Sequence, residues 1–302
     1  METKIQCARR VIDMTLTHPN NRGRRAKAIS RMVLWQLWKR LIGRPFNIRV
    51  FRDMTFRAHP DSTEVGRFVY FGSLYEYEEM CFMERYLRPG DGFIDGGAHE
   101  GSFTLLASKL VGSTGRVDAF EPCPNFVERL RANVRSNHLT NVVVHAEGIS
   151  AEPGVLPFVI NGYGSHLVTK GYEAKTSNER VIDVRVVRLA DALPDRPWAL
   201  GKLDIEGAEM NALIGAEQLV AGADPPVWII ELIDECQERF GLSVVQFREW
   251  LNDHGFDILF YEPDFNLLLP APNPLPYPRY NVLAVSRKHR TEVEARLLEK
   301  GT

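Results

Sequence analysis

The chain lacks the marks of several protein classes. Its longest apolar-rich stretch, about Met32 to Ile42, is too short to span a membrane and is broken by Lys39-Arg40. The first twenty residues show no apolar core of a secretory signal. Cysteine is scarce: four residues, at 7, 81, 123 and 236, with neither paired nor metal-ligand spacing. They read as reduced thiols of a cytoplasmic protein. No internal repeat occurs. The 302 residues are 44% hydrophobic and 25% charged, which excludes disorder and leaves ample chain for a core.

Acidic residues are nearly missing at the start. Residues 1–60 hold 14 Lys/Arg against 3 Asp/Glu, a net +11, so the remainder carries −13. A basic arm before an acidic body implies separate jobs, or an arm that docks on the body. The acidic body argues against nucleic acid as a partner. Within the arm, residues 24–42 predict one amphipathic helix, with Ile29, Val33 and Trp35 to Leu41 at helical spacing and basic residues between them. It either packs across the following domain or makes a peripheral membrane contact through residues 24–42. Residues 48–71 hold short β-like runs. We therefore expect a basic N-terminal helix and cover over 1–67, a main domain over 68–290 and a helical tail over 291–302.

From residue 76 the pattern alternates. Helices are expected at 76–87, 101–110, 124–136, 208–220 and 243–254, the last capped by Ser243 and ended by Gly255. Strands are expected at 92–95, 116–120, 142–146, 155–160, 181–187, 199–204, 227–231, 257–261 and 280–286. Such alternation predicts a doubly wound α/β fold, with a mostly parallel sheet and helices on both faces. Six prolines between 263 and 278 predict a stiff external loop there.

The strongest chemical signal is Phe93-Ile94-Asp95-Gly96-Gly97-Ala98-His99-Glu100-Gly101, between a strand and a helix. Small residues at Gly96, Gly97, Ala98 and Gly101 would let a ligand approach the backbone, and the helix start would offer free N–H groups. Glu121, followed by Pro122, stops the next strand, and its two oxygens suit the hydroxyls of a ribose. A nicotinamide dinucleotide or S-adenosylmethionine satisfies both features. Asp95 would repel a pyrophosphate and attract the ammonium and sulfonium of S-adenosylmethionine, so the cationic cofactor is preferred.

The run from Phe93 to Asn137, together with KLDIEGAEMNALIGAEQLV and PPVWIIEL, resembles the FkbM-type class I methyltransferases over roughly residues 68–286. The resemblance implies a seven-stranded sheet with an antiparallel last strand, S-adenosylmethionine as cofactor, and a hydroxyl acceptor on a sugar, glycan or secondary metabolite. The chain departs from the family pattern at Ala146-Glu147-Gly148, where Glu147 could reach the adenine edge. There the family commonly has small residues.

Asp204, Glu206 and Glu209 lie at a strand end. The strands ending in Asp95 and Asp204 should be neighbours at the switch point of the sheet, which puts Asp204 near the methionyl group or the acceptor. Acids decorating a helix start are the structural alternative. His166 is the candidate base for a hydroxyl proton, against the alternative of an exposed loop histidine. His99 and His145 read as structural. Asp204 and Glu231 could hold Mg²⁺, but no third ligand is evident and no metal is assigned. The rival functions are a nicotinamide oxidoreductase and a silent cofactor-binding protein.

Overall fold

A computed structural model describes residues 4–51, 53–62, 69–71, 74, 76–161, 164–169, 172, 179–276 and 279–299. The main sheet is built from β3 (Gly92–Gly96), β4 (Arg116–Phe120), β5 (Val142–His145), β10 (Leu200–Leu203), β11 (Val227–Glu231), β12 (Phe256–Glu262), β13 (Leu267–Pro270) and β14 (Asn281–Ser286). Period-two alternation sends successive side chains to opposite faces. Phe93 and Ile229 enter one apolar cluster, while Ile94, Trp228 and Ile230 enter another across the sheet.

The spatial order is β13-β12-β14-β11-β10-β3-β4-β5. The five strands from β11 to β5 are parallel, and β14 inserts antiparallel between β11 and β12. All seven expected strands of the sheet are present. An eighth, β13, pairs antiparallel with β12 at the edge, inside the stretch expected to be loop. Pro270 ends it, which an edge strand tolerates.

Helices α3 (Tyr77–Tyr86), α4 (Ser102–Val111) and α5 (Pro124–Ser136) match expectation closely. So does α7 (Val244–Asp253), which opens on a reciprocal Ser243–Gln246 capping box. The helix expected over 208–220 is divided into α6 (Glu209–Ile214) and Glu217–Val220. Gly215 is pressed against the Ser150 carbonyl between them; a Cβ there would lie 2.3 Å from that oxygen. The tail is helical as α8 (Arg290–Leu298). Between β5 and β10 the chain forms a small sheet of β6 (Gly148–Ile149), β9 (Arg180–Val187), β7 (Gly154–Ile160) and β8 (His166–Leu167), in that spatial order. Part of the loop expected over 161–180 lies outside the described residues.

At the N-terminus, α1 (Lys4–Thr17), not anticipated from sequence, precedes α2 (Arg25–Leu41) and the hairpin β1 (Phe46–Val50)–β2 (Met54–Ala58). Of the β-like stretch 48–71, residues 52 and 63–68 lie outside the described residues, and 69–71 are helical. Trp35 of α2 is 1% exposed among Trp38, Phe46, Tyr70 and Phe71. The same apolar cluster contains Ile48, Phe56, Phe93 and Phe103, so residues on both sides of the expected boundary at 67/68 share one core.

Polar bonds tie the cover to the domain. Asn137 accepts from the Thr55 amide at 2.7 Å, and Asn133 accepts from the Arg57 amide at 2.8 Å. Asn133 also donates to the Glu100 carbonyl at 2.7 Å. The buried Glu100 carboxylate accepts from Ser62 at 2.8 Å and from Arg129 at 2.5 Å, and Arg129 reaches Asp61 at 2.6 Å.

Candidate active site

The chain reverses its direction of travel across the sheet at β3, which has β4 on one side and β10 on the other. A crevice forms beyond the carboxyl ends of strands at such a point. Leu203 and Gly96 are in register there, so Asp204 emerges beside the glycine loop as expected. The cavity at this place is lined by Asp95, Gly97, Ala98, Glu121, Pro122, Glu147, His166, Asp204 and Glu206 among the expected residues.

Gly96 and Gly101 do not line it. A Cβ on Gly96 would meet Leu203 at 2.8 Å, and one on Gly101 would meet Leu130 of α5 at 2.5 Å. Gly97, at φ +81°, lies against the Asp204 carbonyl, where a Cβ would come within 1.9 Å. These glycines let the loop pack on β10 and α5, so their smallness serves the protein interior. The loop amides are also committed. Those of Gly97 and Ala98 donate to the Phe120 carbonyl at 3.0 Å, that of His99 to Glu121 at 2.8 Å, and that of Gly101 to Ala98 at 2.8 Å. The expected free N–H groups for an anion are therefore spent at these four positions.

Glu121 is 5% exposed and held from both sides. Its Oε2 accepts from the His99 amide and its Oε1 from the Cys123 amide, each at 2.8 Å. Each oxygen keeps a second acceptor site for a hydroxyl. Burial pushes its carboxyl up to about 7 despite those two bonds. Asp95, 1% exposed, accepts from Thr104 at 2.5 Å through Oδ2, while its buried Oδ1 has no hydrogen-bond partner. Burial raises its carboxyl as well. His99 stacks on Phe126 with ring centres 3.6 Å apart, and burial drives its imidazole down to about 4. It is neutral, and it lines the cavity with a buried Nδ1 that has no hydrogen-bond partner among the described residues. His145 bonds Asp118 at 2.7 Å and stacks on Phe120.

Three further groups line the cavity wall: Lys202 and Glu76, which the sequence did not single out, and Glu231, which it offered only as a Mg²⁺ ligand. Lys202, 3% exposed in β10, donates to Asp204 at 2.6 Å, lies 4.0 Å from Glu76 and sits 4.5 Å above the Phe103 ring. Burial disfavours its charge, but Asp204, Glu76 and Asp95 outweigh that and hold the ammonium protonated. Glu76 accepts from Asn281 at 3.1 Å, and burial lifts its carboxyl to about 7. Glu231 has a buried oxygen without a hydrogen-bond partner, and burial together with Asp204 and Glu206 raises it well above the carboxylate range. Lysine within a central buried strand needs a counter-charge, and that was the available signal.

Glu209 is no part of the cavity wall. Its buried carboxylate accepts from the amides of Ile205 and Gly207 and from Gln237, which clamps the turn after β10. Glu206, at φ +58°, is paired with Arg239 at 3.3 Å and accepts from the Cys236 thiol at 3.4 Å. Ligand atoms of Glu206, Glu231 and Cys236 fall within 4.8 Å of one another. Burial raises this thiol, and a protonated thiol is a poor ligand for a hard cation such as Mg²⁺. Glu147, at the cavity rim, is 3.5 Å from Arg185 and 3.9 Å from His145. His166 has Nδ1 at 2.7 Å from the Gly164 carbonyl. A carbonyl only accepts, so Nδ1 is the donor in this contact.

Among the described residues, seven carboxyl side chains and one ammonium line the cavity. This is a site for a cation, and with the unpartnered Asp95 oxygen and the Glu121 pair it fits S-adenosylmethionine. The fold is that of a class I methyltransferase. The family profile "Methyltransferase FkbM domain" matches residues 95–258, and the chain belongs to that family of S-adenosylmethionine-dependent methyltransferases. Among solved structures, a methyltransferase FkbM from Methylobacillus flagellatus is 15% identical, with 86% of this chain and 60% of that one covered at a TM-score of 0.42. A protein of Streptococcus mutans solved in complex with SAH is 13% identical, with 68% and 94% covered at 0.42. An rRNA methylase from Streptococcus thermophilus is 13% identical, with 68% and 91% covered at 0.39. A comparison with curated proteins finds no match.

Proposed function

We propose that the protein is a cytoplasmic O-methyltransferase acting on a hydroxyl of a small molecule or glycan, with no nucleic acid as substrate. The observation that carries this reading is the acid-lined cavity, which repels phosphate-rich acceptors as it attracts the cofactor. The same lining and the committed loop amides speak against a nicotinamide dinucleotide, whose pyrophosphate would need donors.

Bound S-adenosylmethionine supplies a methyl group on a positively charged sulfur. Asp95 Oδ1 takes the ammonium of the methionyl group, and the two Glu121 oxygens take the ribose hydroxyls. Gly97, Ala98 and Pro122 shape the wall beside them, and Glu147 borders the adenine side. Asp204, fixed by Lys202, orients the acceptor oxygen, and Glu206 flanks it. His166 would be the acceptor of the hydroxyl proton during methyl transfer. Alignment of acceptor and methyl supplies much of the acceleration, and the base adds to it.

Incubation with methyl-labelled S-adenosylmethionine and parallel pools of neutral glycans, hydroxylated metabolites and RNA tests the proposal. Label in an alkali-stable methyl ether of a neutral compound is expected. Label confined to RNA would overturn it.

A further inference from the structure

We propose that the outward face of α2 docks on an anionic lipid bilayer. The helix is apolar on two opposite sides. One side, through Ala28 and Trp35, is buried in the aromatic cluster with Phe46, Tyr70 and Phe71, which fixes the helix in place. The other side is open. Ile29, Val33, Leu37 and Leu41 follow at intervals of four, hence on one line, and are 49%, 53%, 48% and 79% exposed. Leu34 and Ile42 widen the stripe at 55% and 61%. A contiguous exposed apolar face of this kind marks an interaction surface.

Charge selects the occupant. The helix contains Arg25, Lys27, Arg31, Lys39 and Arg40 and no acidic residue. Arg31 turns inward to the Tyr70 carbonyl at 3.2 Å, while Lys27 and Arg40 are exposed along the stripe, with Arg24 and Arg44 at its ends; Lys39, four residues after Trp35, is exposed on the opposite side. A second copy docked face to face would bring two acid-free cationic rims together without compensation. An anionic bilayer supplies negative headgroups for the rim and hydrocarbon for the stripe at the same time. No described helix is long and apolar enough to cross a membrane, so α2 lies in the interface plane. The body carries −13 outside residues 1–60 and is repelled by the same headgroups, so only the helical side faces the lipid.

The test uses the full chain and sedimentation with vesicles of phosphatidylcholine alone or with phosphatidylglycerol added. Binding to the mixed vesicles, weakened by salt and absent on the neutral ones, is expected. Lys27→Ala with Arg40→Ala should weaken it roughly 25-fold, at about fivefold per cation. Val33→Glu with Leu37→Glu should abolish it and leave S-adenosylmethionine affinity unchanged, which shows that the variant is folded. Failure of the wild type to bind mixed vesicles overturns the proposal, as does equal binding to neutral ones. A wild-type dimer that Leu37→Glu dissolves, without vesicle binding, assigns the face to a second copy and overturns it too.

Discussion

The Lys202 ammonium donates to the Asp204 carboxylate at 2.6 Å, two residues along the same chain and across the end of β10. Among the described residues it is the one cation in a cavity wall that also holds Glu76, Asp95 and Glu231.

Replacing it should therefore cost stability before it costs chemistry. Lys202→Met leaves those acids without a counter-charge, and breaking a buried pair costs about 3–5 kcal/mol. The lower end is expected, because the Asp204 side chain is 24% exposed and partly screened. Urea denaturation measures the loss; a midpoint equal to wild type refutes it.

Glu121→Ala should weaken S-adenosylmethionine binding by about 1.5–3 kcal/mol, the scale of hydrogen bonds to a charged group. It also leaves the His99 and Cys123 amides without their acceptor, so thermal stability should fall alongside. Calorimetry on protein shown to be folded separates the two effects. Unchanged affinity would remove Glu121 from the cofactor site.

Stability and binding should respond to pH in opposite senses. The carboxyls of Glu76, Glu121 and Glu209 are raised from 4.5 to about 7 in the fold, chiefly by burial. The native chain thus keeps protons that the unfolded chain has released. Their contribution to stability is full below 4.5 and is lost as the pH rises through 7. A cationic ligand favours the ionised Glu76 and Glu121, so affinity should rise from pH 6 to 8 with release of protons. Urea midpoints of the ligand-free protein across pH 5–8, and calorimetry in two buffers, measure each slope. A flat midpoint profile contradicts the assignment.

Once an acceptor is known, His166→Ala should lower turnover by about 10²–10⁴, the range for a general base, with cofactor affinity nearly unchanged. Asp204→Asn should be the more damaging of the two. Wild-type turnover by His166→Ala across pH 6–9 would leave Asp204 or water as the proton acceptor.

Gly97→Ala should cost at least about 1–3 kcal/mol, since its Cβ would overlap the Asp204 carbonyl and overpacking alone costs that much. Gly112→Ala is the control. It shares a positive φ, yet nothing lies within 4 Å of the added carbon. Equal losses in the two variants would show that backbone conformation, and not the contact with Asp204, dominates.

Much of this site was legible because class I strands end where carboxylates begin. Apolar runs stopping at Asp95, Glu121 and Asp204 announced both the strands and the acids at their tips. What stayed hidden depends on distance along the chain. Glu76 and Lys202 meet across 126 positions, and no local pattern signals that pairing. The glycines of the loop were legible as small, but their reason lay in Leu203, Asp204 and Leu130, which only the fold brings near. The strand β13 was masked by its own composition, because Pro270 and its neighbours read as loop while the edge position tolerates them. Gly215 divides an expected helix for the same kind of reason, a contact with Ser150 made by the fold.

The bonds around Glu100 bear on how the protein opens. Ser62, Asp61, Arg129 and the Asn133 side chain join the glycine loop to the strand pair that carries the N-terminal helices. Segments joined through buried charged bonds tend to unfold together, as one cooperative unit of the native state. Amide hydrogens of the loop 97–101 and of β2 should then exchange with a common free energy of opening. Occupancy of the cofactor site would slow exchange in both, and the first sixty residues would register a ligand they never touch.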